Sequence, residues 1–92
     1  MAEIDVNVRK EGAAYLADVT VKDRAVTAHR VRVSLPERDR FGGPNADVGE
    51  LVRRSFEFLL EREPNTSILR EFSLSTIETY FPEYASDIKK RR

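Results

Sequence analysis

The sequence predicts an α+β fold in which a three-stranded antiparallel meander precedes one long helix and two or more short helices, all packed on one face of the sheet. Up to about Leu35, apolar and polar residues alternate with a period of two, as in strands with one buried face. From Leu51 to Tyr84 the apolar spacing becomes helical, and Pro64 and Pro82 interrupt it. This order of elements is typical of helices segregated to one face of an antiparallel sheet.

The first two strands form a predicted hairpin. Their apolar faces consist of Ile4, Val6 and Val8 on the first strand and Tyr15, Ala17, Val19 and Val21 on the second. We expect a two-residue turn at Glu11-Gly12, because glycine tolerates the positive φ that such turns require. That turn opposes Val8 with Tyr15, Val6 with Ala17 and Ile4 with Val19.

The third predicted strand lies between Ala25 and Leu35. A three-residue turn before it opposes Val19 with His29, Ala17 with Val31 and Tyr15 with Val33, which keeps apolar residues together on one face. Arg30 and Arg32 then point to the far face. The alternative is a β-bulge near Ala28 to Arg30, which would also bring the apolar side chains of the third strand onto the core face. In either case the first and third strands are the predicted edges of the sheet.

The helical part begins after a predicted loop from Pro36 to Asn45, which is rich in turn residues. Asp47 and Glu50 form a predicted capping box at the start of the longest helix, which ends at Glu63 before a proline. Three shorter helices are expected to follow. The first holds Ile68, Leu69 and Phe72, the second begins at Ser75, and the third runs from Glu83 to about Lys90.

Length and composition favour one domain, predicted over residues 1–88, followed by a basic and mobile tail at residues 89–92. The chain has no cysteine, which excludes disulfides, thiolate metal sites and cysteine nucleophiles. No apolar run reaches the roughly 18 residues of a membrane span, and the first residues do not follow the order of a signal peptide. We therefore expect a cytoplasmic protein without a membrane partner.

Catalytic chemistry has little support in the sequence. His29 is the only histidine, and no serine in a nucleophile-elbow pattern accompanies it. Carboxylates are scattered without a recognisable metal-ligand spacing. We interpret His29 as a structural residue, and we predict that the protein is not an enzyme and uses no cofactor or metal.

Aromatic residues outside the inward helical stripe, together with Leu60, are the predicted contacts with a protein partner or with a second copy of the chain. Large aromatic side chains dominate the energetics of protein interfaces. An interaction protein, including a homodimer, is therefore the first functional hypothesis. Its candidate contact residues are Phe41, Phe58, Leu60, Tyr80 and Tyr84.

Uneven charge supports an alternative hypothesis, which is nucleic-acid binding. The formal net charge is zero, but five arginines face two acids between Arg24 and Arg40. Nine acids against four arginines between Asp47 and Ile88 make the helices acidic, which counts against phosphate binding. The candidate nucleic-acid contacts are Arg30, Arg32, Lys89, Lys90, Arg91 and Arg92.

One family resemblance rests on about a quarter of the chain. The residues that carry it are Leu51-Val52, the run from Ser55 to Pro64, Ser67-Ile68-Leu69, Phe72, Ile77 and the run from Tyr80 to Tyr84. In these the chain resembles a family of small uncharacterised bacterial proteins. The resemblance implies an architecture and no activity, so it assigns no functional residue.

Overall fold

The computed structural model describes residues 2–91, which form a four-stranded sheet and four α-helices. The strands are β1 (Glu3–Glu11), β2 (Ala14–Lys22), β3 (Val26–Ser34) and β4 (Glu71–Ser73), and they lie in that order in the sheet. The helices are α1 (Leu35–Phe41), α2 (Val48–Leu60), α3 (Leu74–Tyr80) and α4 (Tyr84–Lys90), with a 3-10 turn at Asn65–Ser67. The α+β class predicted from the sequence is confirmed.

The first three strands are neighbouring and antiparallel, as predicted. The register between β2 and β3 is the predicted one, with Val19 opposite His29, Ala17 opposite Val31 and Tyr15 opposite Val33. Three residues separate Lys22 from its partner Val26, so the turn has the expected length. The ladder continues without interruption from Ala14 to Lys22, which excludes the alternative bulge on β3.

The register predicted for the first hairpin is wrong by two residues. Ile4 lies opposite Val21, Val6 opposite Val19 and Val8 opposite Ala17. The turn consists of Gly12 and Ala13, not Glu11 and Gly12, and Gly12 has φ +60°. A glycine with positive φ at the first central position is typical of a type II′ turn. A shift of two residues leaves every side chain on its predicted face, because side chains alternate with a period of two.

The predicted loop from Pro36 to Asn45 is wrong, because its first part is helix α1. Ser34 and Glu37 form a capping box, in which each side chain accepts from the other residue's backbone amide. Proline follows in the first turn, where its missing N–H costs nothing. The helix ends before Gly43, which has φ +103°. The glycine-rich segment therefore stops a short helix and does not prevent one.

The fourth strand replaces a predicted helix. The segment that contains Ile68, Leu69 and Phe72 was expected to be helical, but it forms a 3-10 turn and strand β4. Strand β4 pairs in parallel with β3, so the sheet is not a pure meander and β3 is not an edge. The following helix α3 begins after Ser73, two residues before the predicted cap at Ser75.

Helix α2 contacts the sheet on one side and α4 on the other. Its N-cap is Asp47, as predicted, and Asp47 Oδ1 accepts from the amides of Gly49 and Glu50. The Glu50 carboxylate does not complete a box and lies near Arg53 and Arg54 instead. The sheet residues buried below α2 share one face, and they are Ala17, Val19, Val21, Val31 and Val33.

Helix α4 confirms the predicted final helix and continues through Lys90 into the segment predicted to be a tail. Arg91 donates to Glu61 and Asp87, and these hydrogen bonds raise the pKa of Arg91. Arg92 lies outside the described residues. Between residues 2 and 91, no helix is both long and apolar enough to cross a membrane.

Glu37 joins two helices, and its carboxylate gives the fold a pH dependence. One carboxylate oxygen accepts from Ser34 N, and the other accepts from Ser75 N at 2.8 Å in the first turn of α3. Burial alone would raise the pKa of Glu37, but these hydrogen bonds outweigh it and the net pKa is lowered. A lowered pKa means that the ionised carboxylate stabilises the folded state.

We expect Glu37→Gln to destabilise the fold by about 1–2 kcal/mol at pH 7, because an amide nitrogen cannot accept from Ser75 N. The contribution of the carboxylate is fully present above its unfolded pKa of about 4.5 and is lost as the pH falls through the lower folded value. Urea unfolding of both proteins between pH 7 and pH 3 measures this. The exposed Glu57→Gln is the control, with an expected change of about 0.5 kcal/mol or less. A difference that stays constant down to pH 3 would contradict the assignment.

Candidate functional site

The five predicted interface residues divide into core and surface. Phe41, Phe58 and Tyr84 are fully buried. Their rings pack together, with centroid distances of 5.0 Å between Phe41 and Tyr84 and 5.3 Å between Phe58 and Tyr84. The Tyr84 hydroxyl lies 2.6 Å from Ser55 Oγ, and burial raises the pKa of Tyr84. These three residues offer no surface to a partner, since they join α1, α2 and α4 in a second layer of the core.

Tyr80 is the predicted contact residue that remains on the surface, with 66% of its area exposed. Leu60 is half-buried against the core. Leu69, which was expected in a short helix together with Ile68 and Phe72, is 47% exposed. The strand-like geometry after the 3-10 turn explains this, because Ile68 is directed inward and the next side chain outward. No helical spacing could have indicated Leu69.

An apolar groove lies between the exposed residues Leu69 and Tyr80. It has a volume of about 430 Å³ and is bounded by the end of α2, the segment before β4, and α3. Phe72 and Phe81, both half-buried, contribute aromatic surface to it. The floor includes the buried side chains of Leu59, Ile68 and Ile77. A groove of this size and composition is of the kind that holds an apolar ligand or side chain.

One acid lies in the lining of this groove. Glu63 follows α2, and burial against the apolar lining raises its pKa. Within residues 2–91, no lysine or arginine lies within ion-pairing distance of it, whereas the neighbouring Glu61 is bound by Arg91. A partly buried carboxylate without a counter-charge favours a ligand that brings a cation.

The groove depends on a hydrogen-bonded chain that fixes the segment before β4 to the sheet. His29 Nδ1 lies 2.8 Å from the carbonyl of Leu69, and a carbonyl can only accept, so Nδ1 carries a proton. In the neutral ring Nε2 then accepts from Thr27 Oγ1 at 2.8 Å. Asn65 Nδ2 in turn donates to Thr27 Oγ1 at 3.1 Å and to the carbonyl of Ala25 at 2.9 Å. His29 is 4% exposed, and both its ring nitrogens have partners.

The predicted nucleic-acid face is partly neutralised. Arg30 Nε donates to Asp18 at 3.0 Å, and this hydrogen bond raises the pKa of Arg30. Arg9 contacts the other oxygen of Asp18 at 2.9 Å. Arg32 is exposed on the same face, and Lys89 and Lys90 are exposed at the end of α4. The structure therefore does not bring the candidate arginines together with the basic tail in a single unpaired cluster within the described residues.

No cluster of three or more histidine, cysteine, aspartate or glutamate side chains in the described part of the chain could hold a metal ion. Comparison of the chain with protein-family models, curated proteins and solved structures finds no match. The groove beside β4 is the candidate site because of its apolar lining and its two exposed flanking residues, Leu69 and Tyr80.

We expect His29→Leu to destabilise the protein by about 1–3 kcal/mol, because it leaves the carbonyl of Leu69 without its donor. The first structure to be lost should be the pairing of β4 with β3, since β4 has only three residues. Urea unfolding measures the global change, and hydrogen exchange of the amides in residues 69–73 measures the local one. Ala28→Ser, an exposed change on the same strand, is the control. Unchanged protection of β4 in His29→Leu would show that the histidine does not hold this segment.

Proposed function

We propose that this protein is a small non-catalytic interaction protein, and that it binds an apolar segment of a protein partner carrying a lysine or arginine. The observation that carries the proposal is the apolar groove flanked by Leu69 and Tyr80. Both side chains are exposed although the fold places them beside other apolar groups. Exposed apolar surface that surrounds a concave site is a mark of an interaction surface.

The chemistry of the expected partner follows from the lining. The half-buried rings of Phe72 and Phe81 favour an apolar or aromatic anchor. Glu63 favours a basic residue next to that anchor, because its partly buried carboxylate has no cation among the described residues. The acidic excess between Asp47 and Ile88 attracts a basic segment over a longer range.

Nucleic-acid binding is the weaker hypothesis on this structure. Arg30 and Arg91 both use their guanidinium groups on acids of the same chain. A phosphate contact would have to replace those pairs, which reduces the gain from binding. Arg32 and the two lysines of α4 remain available for it, but no single observation favours this function over the groove.

The proposal is tested with a random peptide library displayed on phage and panned against the wild-type protein. We expect enriched peptides to combine an apolar or aromatic residue with lysine or arginine. Leu69→Ala and Tyr80→Ala should each weaken a selected synthetic peptide about ten-fold, or about 1.4 kcal/mol, in fluorescence anisotropy. Val26→Ala is the matched control, because Val26 is 68% exposed at the start of β3, on the exposed face of that strand and outside the groove lining.

The expected role of the Glu63 carboxylate, which is to favour a basic residue of the partner, is tested separately with Glu63→Gln. This change should reduce the preference for basic peptides while apolar binding persists, because the shape of the groove is retained. Failure to enrich any peptide, or selected peptides whose affinity is the same for wild type, Leu69→Ala and Tyr80→Ala, would overturn the proposed function.

A further inference from the structure

The outer edge of β1 differs from the other edge of the sheet in its length. Strand β1 has nine residues, whereas β4 has three. β1 contains no proline and pairs with β2 without a bulge, so it lacks two devices that commonly protect an edge from pairing. Ile4 and Val6 are half-buried, and Val8 is 37% exposed. The inward face of this strand is therefore incompletely covered along the open edge.

The pairing with β2 determines which backbone groups are free. Glu11 and Ala14 enclose a two-residue turn and must be its hydrogen-bonded pair. Odd-numbered residues of β1 therefore bond to β2, and even-numbered residues direct their N–H and C=O groups to the open edge. Arg53 supports this, because its guanidinium donates to the carbonyl of Ile4 at 2.6 Å. That carbonyl keeps a second lone pair for another donor.

We propose that β1 pairs antiparallel with β1 of a second copy of this chain, with Val6 opposite Val6 across a two-fold axis. This register opposes Ile4 with Val8 on the inward face. On the outward face it opposes Glu3 with Arg9 and Asp5 with Asn7. Each of these three pairs occurs twice, because a two-fold interface uses the same surface on both copies, whereas the Val6 pair on the axis occurs once. The resulting sheet has eight strands.

Charge complementarity selects this register among its neighbours. Moving the centre of the pairing to residue 5 opposes Asp5 with itself. Moving it to residue 7 opposes Glu3 with Glu11, and moving it to Val8 opposes Asp5 with Glu11. Like charges directly opposite one another destabilise a sheet. Only the register centred on Val6 opposes no like charges and also opposes apolar with apolar residues on the inward face.

Backbone geometry agrees with the same register. Val6 with Val6, and Ile4 with Val8, are even-numbered residues whose edge-facing N–H and C=O groups point at each other, and the Ile4 carbonyl, which already accepts from Arg53, uses its second lone pair. Registers that oppose even with odd residues would place apolar side chains opposite charged ones and would misalign these groups. The edge is thus self-complementary in its hydrogen bonds, its apolar side chains and its charges.

Oxidative cross-linking tests the register directly, because the chain has no cysteine. Hydrogen-bonded antiparallel partners have Cα atoms about 5.5 Å apart, which a disulfide can span. We expect Val6→Cys to form a covalent dimer under mild oxidation, several-fold faster than Asn7→Cys or Ala28→Cys. Faster cross-linking of Asn7→Cys would show another register and overturn the one proposed.

Analytical ultracentrifugation of the unmodified chain tests the association itself. We expect a concentration-dependent dimer that Glu3→Lys weakens about ten-fold, because the introduced ammonium group of each copy then lies opposite Arg9 of the other copy. Glu57→Lys on α2 makes the same charge change away from the edge and should leave the dimer unchanged. A monomer at all concentrations up to about 1 mM, or a dimer equally stable in Glu3→Lys, would overturn the inference. The groove variant Tyr80→Ala should dimerise normally, so this proposal and the proposed function fail independently.

Discussion

The pairing of β4 with β3 is the constraint on which the C-terminal half of the structure depends. A three-residue parallel strand gains little from its own ladder, so side chains must hold it. The hydrogen-bonded chain from Asn65 through Thr27 and His29 to Leu69 does this, and Arg30 N donates to Arg70 O beside it. Helix α3 begins directly after β4. These hydrogen bonds, with His29 at their centre, hold the segment that forms one wall of the groove.

A second constraint on the fold is that helix α2 must be buried on two sides, against the sheet and against α4. Phe56 faces the sheet, with its ring centroid 5.3 Å from that of His29, while Phe58 contacts Tyr84 on α4. A helix covered on two sides needs more than the single apolar stripe of a surface helix. This explains why Phe58 and Tyr84, which fall outside one stripe, are core residues. The exposed aromatic surface is reduced to Tyr80 and its surroundings.

The sequence predicted those parts of the fold that depend on local pattern. The faces of β1 to β3, the N-cap of α2 and helix α4 follow from periodicity and capping. The capping box of Ser34 and Glu37 is also a local signal, and the glycines after it end helix α1 and do not prevent it. Strand β4 could not be predicted, because three residues carry no period and its partner is distant in the chain. Tyr80 was predicted at the site, whereas Leu69 depended on that unpredicted strand.

The two edges of the sheet are suited to different tasks for a physical reason. The edge at β4 is short, and the free surface beside it belongs to side chains, so its recognition depends on apolar shape and on the charge of Glu63. The edge at β1 is long and its free groups belong to the backbone, so its recognition depends on register. Since β2 and β3 separate the two edges, a second copy paired along β1 leaves the groove of each copy open. Self-association at one edge would then present two grooves to one partner, which raises the effective concentration of the second binding event.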